Sequence, residues 1–297
     1  MQQAAAAAAG GQGYPSGSLY VVATPIGNLA DITLRAIHVL TLVDAVACED
    51  TRHSAPLLRQ LGIHGKPLLA VHEHNEREAA QGVLQRLARG ERVAYVSDAG
   101  TPAISDPGAA LVGAVQAAGF RTIPIPGASS VLAALSVAGD ATVGAFGFRG
   151  FLPTRGAERA QTLGQWVQCV DAQVLFEAPH RIESLAVALG QACPARVLTV
   201  GRELTKQFET VHTLPAGQLT AWLAADPNRT RGEFVLVLHA LGAAASAGAN
   251  RVSDAALRAL LSAMSLKQAV ALAAELSGEA RNPLYERALT LRDADNP

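Results

Sequence analysis

The sequence predicts an α/β protein of two domains carrying a small C-terminal helical appendage. Three observations predict it. Short β-branched runs alternate with amphipathic stretches from Ser18 to about Ala240, and several of these runs end in turns rich in glycine and proline. The 297 residues are also 49% apolar, which is length and apolar material for two cores. Charged residues make up only 16% and the formal net charge is −1, so no global field draws in a polyanion or an anionic membrane. Any contact with nucleic acid must be local.

Residues 1–16 open on an alanine and glycine tract that lacks the basic start of a secretory signal and reads as a disordered leader. No later apolar run is long enough to span a bilayer. Residues 17–126 read as the N-terminal α/β domain, with strands at Leu19–Ala23, Ala45–Cys48, Leu68–Val71, Arg92–Ser97 and Thr122–Ile125. Asp31 is placed to cap a helix carrying Leu34, Ile37 and Leu40, and Gly90 to close one carrying Val83, Leu84 and Leu87. Residues 127–240 read as a second α/β domain: a helix over Ser129–Ala138, a strand at Ala145–Gly150, a surface loop over Leu152–Gly156, then strands at Val174–Phe176, Arg196–Gly201, Glu209–Thr213 and Phe234–His239. The last is a continuous apolar run, as expected of a strand covered on both faces. Trp166 and Trp222 fall in amphipathic helices and read as core. Residues 241–252 are rich in alanine, glycine and serine, a linker composition. In 253–297, helical spacing over Ser253–Ala263, Leu266–Leu276 and Pro283–Leu291, broken at Gly278, gives the appendage; a packing role is favoured over a helix-turn-helix.

Cys48, Cys169 and Cys193 form an odd set without CxxC spacing, which fits free thiols in a reducing cytoplasmic compartment. His72-Glu73-His74 alternates along a strand, but no further ligand is placed nearby, so no metal is expected.

The most informative stretch runs from Ser97 to Gly108. It follows a strong strand and precedes a helix, which puts it at the carboxyl edge of a sheet, where α/β proteins bind ligands. Gly100 and Gly108 allow backbone close to a ligand, while Pro102 and Pro107 stiffen the path. Thr24-Pro25-Ile26-Gly27-Asn28 and Pro126-Gly127-Ala128-Ser129-Ser130 end strands in the same fashion. If the first, fourth and fifth strands are neighbours, all three loops converge on one crevice; singly, each also reads as an ordinary capped turn. None is a lysine-bearing phosphate loop or a dinucleotide fingerprint.

Seven segments, TPIGNL from Thr24, CEDTR from Cys48, SDAGTPAISDPG from Ser97, PIPGASS from Pro124, FRGFLP from Phe148, FEAPHR from Phe176 and RGEFVLVL from Arg231, carry a resemblance in their order and spacing. Together they resemble the ribosomal RNA small-subunit methyltransferases that modify a decoding-region cytidine at its ribose 2′-oxygen, within the tetrapyrrole methylase superfamily. The resemblance implies a two-domain tetrapyrrole-methylase-like fold with S-adenosyl-L-methionine in the cleft between domains, a homodimer, and 16S rRNA within the small ribosomal subunit as substrate. It implies donor contacts from Pro25 and Gly27, from Asp98, Ala99, Gly100, Thr101, Pro102, Ser105, Asp106 and Gly108, and from Gly127, Ala128, Ser129 and Ser130. Residues near Phe151, with Glu177, Pro179 and Gly232, would close the second side.

Methyl transfer to a hydroxyl is an in-line displacement, so alignment in a dry cleft, worth on the order of 7–11 kcal/mol, matters more than covalent catalysis. A ribose hydroxyl needs a proton acceptor. Glu49, Asp50, Asp98, Asp106, Glu177, His180 and Glu203 all lie at or just beyond strand ends; Asp50 and Asp106 are the nominal choices, though any of the seven also reads as a cap or an ion-pair partner. Arg52, Arg149, Arg155 and Arg181, with Arg159, are candidates for RNA phosphates or for internal pairing, the latter most of all for Arg181. Rival readings are a methyltransferase of the same fold acting on a tetrapyrrole or a translation-factor side chain, a non-catalytic RNA-binding module, and, disfavoured by the missing phosphate lysine, a nucleotide hydrolase.

Overall fold

The computed structural model describes residues 1–72, 75–105, 107–142, 144–154, 156–241 and 252–294. Asp106, Arg155, Glu73, His74 and most of the 241–252 segment lie outside the described residues.

The first sheet is built from β1 (Ser18–Val22), β2 (Ala45–Cys48), β3 (Leu68–Ala70), β4 (Val93–Val96) and β5 (Arg121–Ile125), in the order β3-β2-β4-β1-β5 with every pairing parallel. Parallel strands need crossovers, and these put helices on both faces. Alternation along the strands divides the core accordingly. Tyr20, Val22, Val46, Cys48, Ala94 and Val96 face a layer that includes Ala5, Ile37, Leu40 and Leu58. Leu19, Ala47, Val93 and Tyr95 face Val83, Leu87, Leu111 and Val115. The first layer comes from α1 (Gln2–Ala9), α2 (Leu34–Leu42) and α3 (Thr51–Gln60), the second from α4 (Glu76–Ala88) and α5 (Ala109–Ala117).

Two expectations are corrected here, and one helix is added. The alanine tract is not a disordered leader: residues 2–9 are helical and bury Ala5 and Ala9 against the domain, because alanine has the highest helix propensity and no side chain to obstruct close packing on α2. The cap of α2 is Thr33, which accepts from Ala36 N at 3.0 Å; Asp31 ends a preceding 3-10 turn. α3 has no counterpart in the sequence-based reading, since Pro56 sits inside it and removes one of its hydrogen bonds.

The second sheet contains β6 (Phe146–Phe151), β7 (Ala172–Glu177), β8 (Val197–Arg202), β9 (Thr210–Pro215) and β10 (Phe234–Leu238), in the order β6-β7-β10-β8-β9. Only β6 and β7 are parallel. The short 203–209 connection between β8 and β9 leaves room for an antiparallel pair alone. Central β10 is buried on both faces as expected: Phe234, Leu236 and Leu238 pack with α7 (Gly156–Gln168), α8 (Ile182–Ala192) and α9 (Leu219–Ala224), and Val235 and Val237 with α6 (Ser130–Ala138). α6 therefore begins in the loop after β5 and packs on the second sheet, which ties the two layers together at the cleft. α10 (Asp254–Ala263), α11 (Leu266–Ser277) and α12 (Arg281–Ala294) share a small core around Leu257, Val270 and Leu284.

Candidate active site

Because β4, β1 and β5 are adjacent, the three loops at their carboxyl ends lie side by side. They are stitched together. Thr24 and Gly100 exchange backbone hydrogen bonds at 2.9 and 3.1 Å, and the Thr101 hydroxyl donates to Ala128 O at 3.2 Å. Gly100 has φ +80°, and a Cβ there would stand 3.2 Å from Ile26. At Gly127 a Cβ would come within 3.0 Å of Ala23. Ser129 caps α6, so that helix starts at the cleft wall. Ala103, Glu203 and Thr205 are non-glycine residues with positive φ, and all three belong to loops flanking the cleft, where local strain is held by surrounding structure.

A cavity of about 330 Å³ opens between these loops and the second sheet. One wall includes Ile26, Ala99, Gly100, Thr101, Ser105, Ser129 and Ser130; the other includes Phe151, Phe176, Glu177, Pro179, Leu204 and Val235. Phe176 meets Phe148 and Phe151 edge-on, with ring centroids 5.0 and 5.6 Å apart. The Glu177 side chain is fully buried, Oε1 lying 3.0 Å from Arg181 Nε and accepting from Ala178 N. Its Oε2, 3.9 Å from Arg159, has no hydrogen-bond partner among the described residues.

Beside this cavity lies a more open chamber of about 530 Å³, lined by residues that include Pro25, Gly27, His53, Ser97, Asp98 and Lys206; Ile26, Ala99 and Glu233 line both spaces. Gly27 is required here, since a Cβ would press to 2.4 Å from Lys206 Cγ. Lys206 bridges Glu203 and Glu233, 3.0 Å from each.

Of the expected donor residues, Ala99, Gly100, Thr101, Ser105, Ser129, Ser130, Glu177 and Pro179 line the first cavity, and Pro25, Gly27 and Asp98 the second. Pro102, Gly108, Gly127, Ala128 and Gly232 are on neither wall. Gly108, φ +124°, packs on Tyr95 and starts α5; Gly232, φ +88°, packs on Glu203. The sequence-based reading missed Ile26 and Glu233, each beside a motif glycine, Phe176 on β7, Ile104 in the loop after β4 and Leu204 in the loop after β8.

Asp50 does not suit the role of proton acceptor. It caps α3, and hydrogen bonds from the Arg52 side chain and backbone hold its carboxyl down to about 2, too weak a base near neutral pH. Arg181 is an internal pairing residue rather than an RNA contact: it binds Glu177 and donates to Leu152 O, and its side chain is only 16% exposed. Arg149 turns back to Gln173, 2.5 Å away, and Cys169. Arg52, next to the chamber-lining His53 in the chain, is 88% exposed. One ligand atom each from Asp50, His53 and Asp98 falls within 4.8 Å of the others, a closeness that the cationic Arg52 and the His53–Asp98 hydrogen bond account for without an ion.

The tetrapyrrole (corrin/porphyrin) methylase profile matches residues 18–220. A second profile, described as the RsmI C-terminal HTH domain, matches residues 247–292, the span of the helical appendage. Among curated relatives, a protein from Neisseria meningitidis serogroup A is 46% identical over 93% of this chain and 94% of its own, and one from Pseudomonas aeruginosa 47% identical over 92% and 97%. Both are named ribosomal RNA small subunit methyltransferase I. Solved structures share the fold at lower identity. A uroporphyrin-III-C-methyltransferase from Thermus thermophilus gives a TM-score of 0.51 at 21% identity, over 74% of this chain and 94% of its own. Diphthine synthase gives 0.56 at 16%, over 74% and 89%. The chain belongs to the tetrapyrrole methylase family and, within it, to the ribosomal RNA small subunit methyltransferase I group.

Proposed function

We propose that this enzyme transfers the methyl group of S-adenosyl-L-methionine to the ribose 2′-oxygen of a cytidine in the decoding region of 16S rRNA, acting on the small ribosomal subunit. The observation that carries the reading is the meeting of three small-residue loops with an aromatic sheet edge over one cleft, in a chain whose relatives at 46–47% identity are named for this class of RNA. The residues present fit the donor. The cavity of about 330 Å³ falls in the range of small-molecule sites, roughly 300–1,000 Å³. Gly100 brings backbone to the cavity face, and one oxygen of the buried Glu177 accepts no hydrogen bond among the described residues.

Gly100, Thr101, Ser129 and Ser130 would hold the donor on one side, and Phe151, Phe176, Glu177 and Pro179 on the other. The donor, when bound, supplies an electrophilic methyl group on a sulfonium. The walls exclude water and fix the approach of the acceptor, where the gain from alignment lies. Arg52, Arg149 and Arg155 offer positive charge for RNA, and the Arg52 side chain is 88% exposed. With a net charge of −1, the enzyme binds an assembled particle, which offers shape as well as phosphate, better than naked RNA. It works as a homodimer in the cytoplasm, a state that sedimentation of the purified protein tests.

The function is tested by mass spectrometry of ribose-methylated nucleosides in 16S rRNA from cells with and without the gene, paired with transfer of labelled methyl to purified small subunits. Loss of one 2′-O-methylcytidine is expected. An unchanged digest, or labelling of a uroporphyrinogen-type acceptor instead, overturns the reading.

A further inference from the structure

We infer that His53, held by Asp98, is the proton acceptor for the ribose hydroxyl, and that the chamber beside the donor cleft seats the acceptor nucleotide. The inference rests on the function proposed above. Its physical basis is a dyad assembled across the fold. His53 lies in the first turn of α3 and Asp98 in the loop after β4; Nδ1 of the imidazole and Oδ2 of the carboxylate are 2.7 Å apart. An ionised carboxylate only accepts, so Nδ1 carries the proton and Nε2 keeps its lone pair. Nε2 has no hydrogen-bond partner among the described residues, and the side chain is 68% exposed on the chamber. Asp98 is itself fixed, since its other oxygen accepts from Asp50 N at 3.2 Å.

The chamber adjoins the donor cleft through shared walls. Ile26, Ala99 and Glu233 line both spaces, and Asp98 precedes Ala99, Gly100 and Thr101 in the same loop. A group seated beside His53 is therefore one wall away from a donor in the cleft. In the step, the ribose oxygen forms its bond to the methyl carbon as the carbon–sulfur bond breaks and its electron pair leaves with sulfur. The hydroxyl proton passes to Nε2, and the imidazolium is stabilised by the Asp98 carboxylate.

The charged groups facing His53 are Asp50 and Arg52 from α3, Asp98 from the β4 loop, and Lys206 and Glu233 across the chamber. The hydrogen bond to Asp98 raises its basicity above the ordinary imidazole value, toward the working pH that suits a general base.

The experiment is single-turnover methyl transfer to small ribosomal subunits from pH 5.5 to 8.5, with donor affinity measured by calorimetry. Wild-type rates are expected to rise with pH and level off as the imidazole loses its proton. His53→Gln should lose about 10²–10⁴ in rate, lack this inflection and bind donor normally. Added imidazole should partly restore His53→Ala. Asp98, a positioning residue, is read by the profile: Asp98→Asn should move the inflection to lower pH. If His53 served as a cation for phosphate, the rate would fall as pH rises, and that result overturns the inference. So does His53→Gln within threefold of wild type, or loss of wild-type activity to a chelator. Absence of wild-type transfer to ribose overturns the function itself and this inference with it, whereas an active wild type with an active His53→Gln overturns only the inference.

Discussion

The start of α5 depends on one carboxylate from another helix. Glu76, the first residue of α4, accepts through Oε1 from Gly108 N at 2.7 Å, Ala110 N at 3.0 Å and Leu111 N at 3.3 Å. α5 begins with no side-chain cap of its own, because Gly108 supplies none. Glu76→Ala strips the acceptor from three N–H groups. A cap is worth about 0.5–2 kcal/mol, and bonds to a charged partner about 1.5–3 kcal/mol. Glu76 is partly exposed and water replaces some of what is lost, so the expected cost is about 2 kcal/mol. At roughly 2–4 °C per kcal/mol for a chain of this order, the melting temperature should fall by about 4–8 °C. Glu76→Gln keeps an acceptor oxygen and loses the charge at the positive end of the helix, about 0.3–1 kcal/mol. Differential scanning calorimetry should therefore rank wild type above Glu76→Gln and Glu76→Ala lowest. Donor affinity should weaken in the same order, because the displaced segment continues from the loop that lines the cleft. Glu76→Ala melting within a degree of wild type, or Glu76→Gln melting as low as Glu76→Ala, refutes the reasoning.

Gly100→Ala places a side chain at φ +80° with Cβ 3.2 Å from Ile26, a left-handed conformation that costs roughly 1–2 kcal/mol; calorimetry should show at least tenfold weaker donor binding, and unchanged affinity contradicts the assigned wall. The Asp50 carboxyl, held down by Arg52, should titrate by NMR near 2 rather than at the ordinary value of about 3.9. Its folded form is the one with the lowered value. Its stabilising contribution is thus present above pH 4 and lost as pH falls through about 2, and a midpoint near 4 would remove the ion pair from the account. Burial raises the Cys48 and Cys193 thiols, with Cys48 wholly enclosed, so brief alkylation of the native protein at pH 8 should label Cys169 first; early labelling of Cys48 would contradict the packing of β2.

The alternating α/β plan, the strand positions to within about two residues and the glycine- and proline-rich loops were legible in the residues alone. They were so because period-two burial and turn chemistry are local: Leu19 and Tyr20 must face opposite layers wherever β1 lies. The motifs likewise contain the loops that line one wall of the first cavity. That β1 lies between β4 and β5, so that three loops form one wall, and that most of the second sheet is antiparallel, emerged with the folded arrangement. It also separated carboxylates that look alike in sequence: Asp50 is neutralised by Arg52 two residues away, Asp98 meets a histidine 45 residues away, and Glu177 is buried between two arginines. Which charge faces which depends on strand order and helix docking, and these are set by non-local pairing that no local pattern encodes.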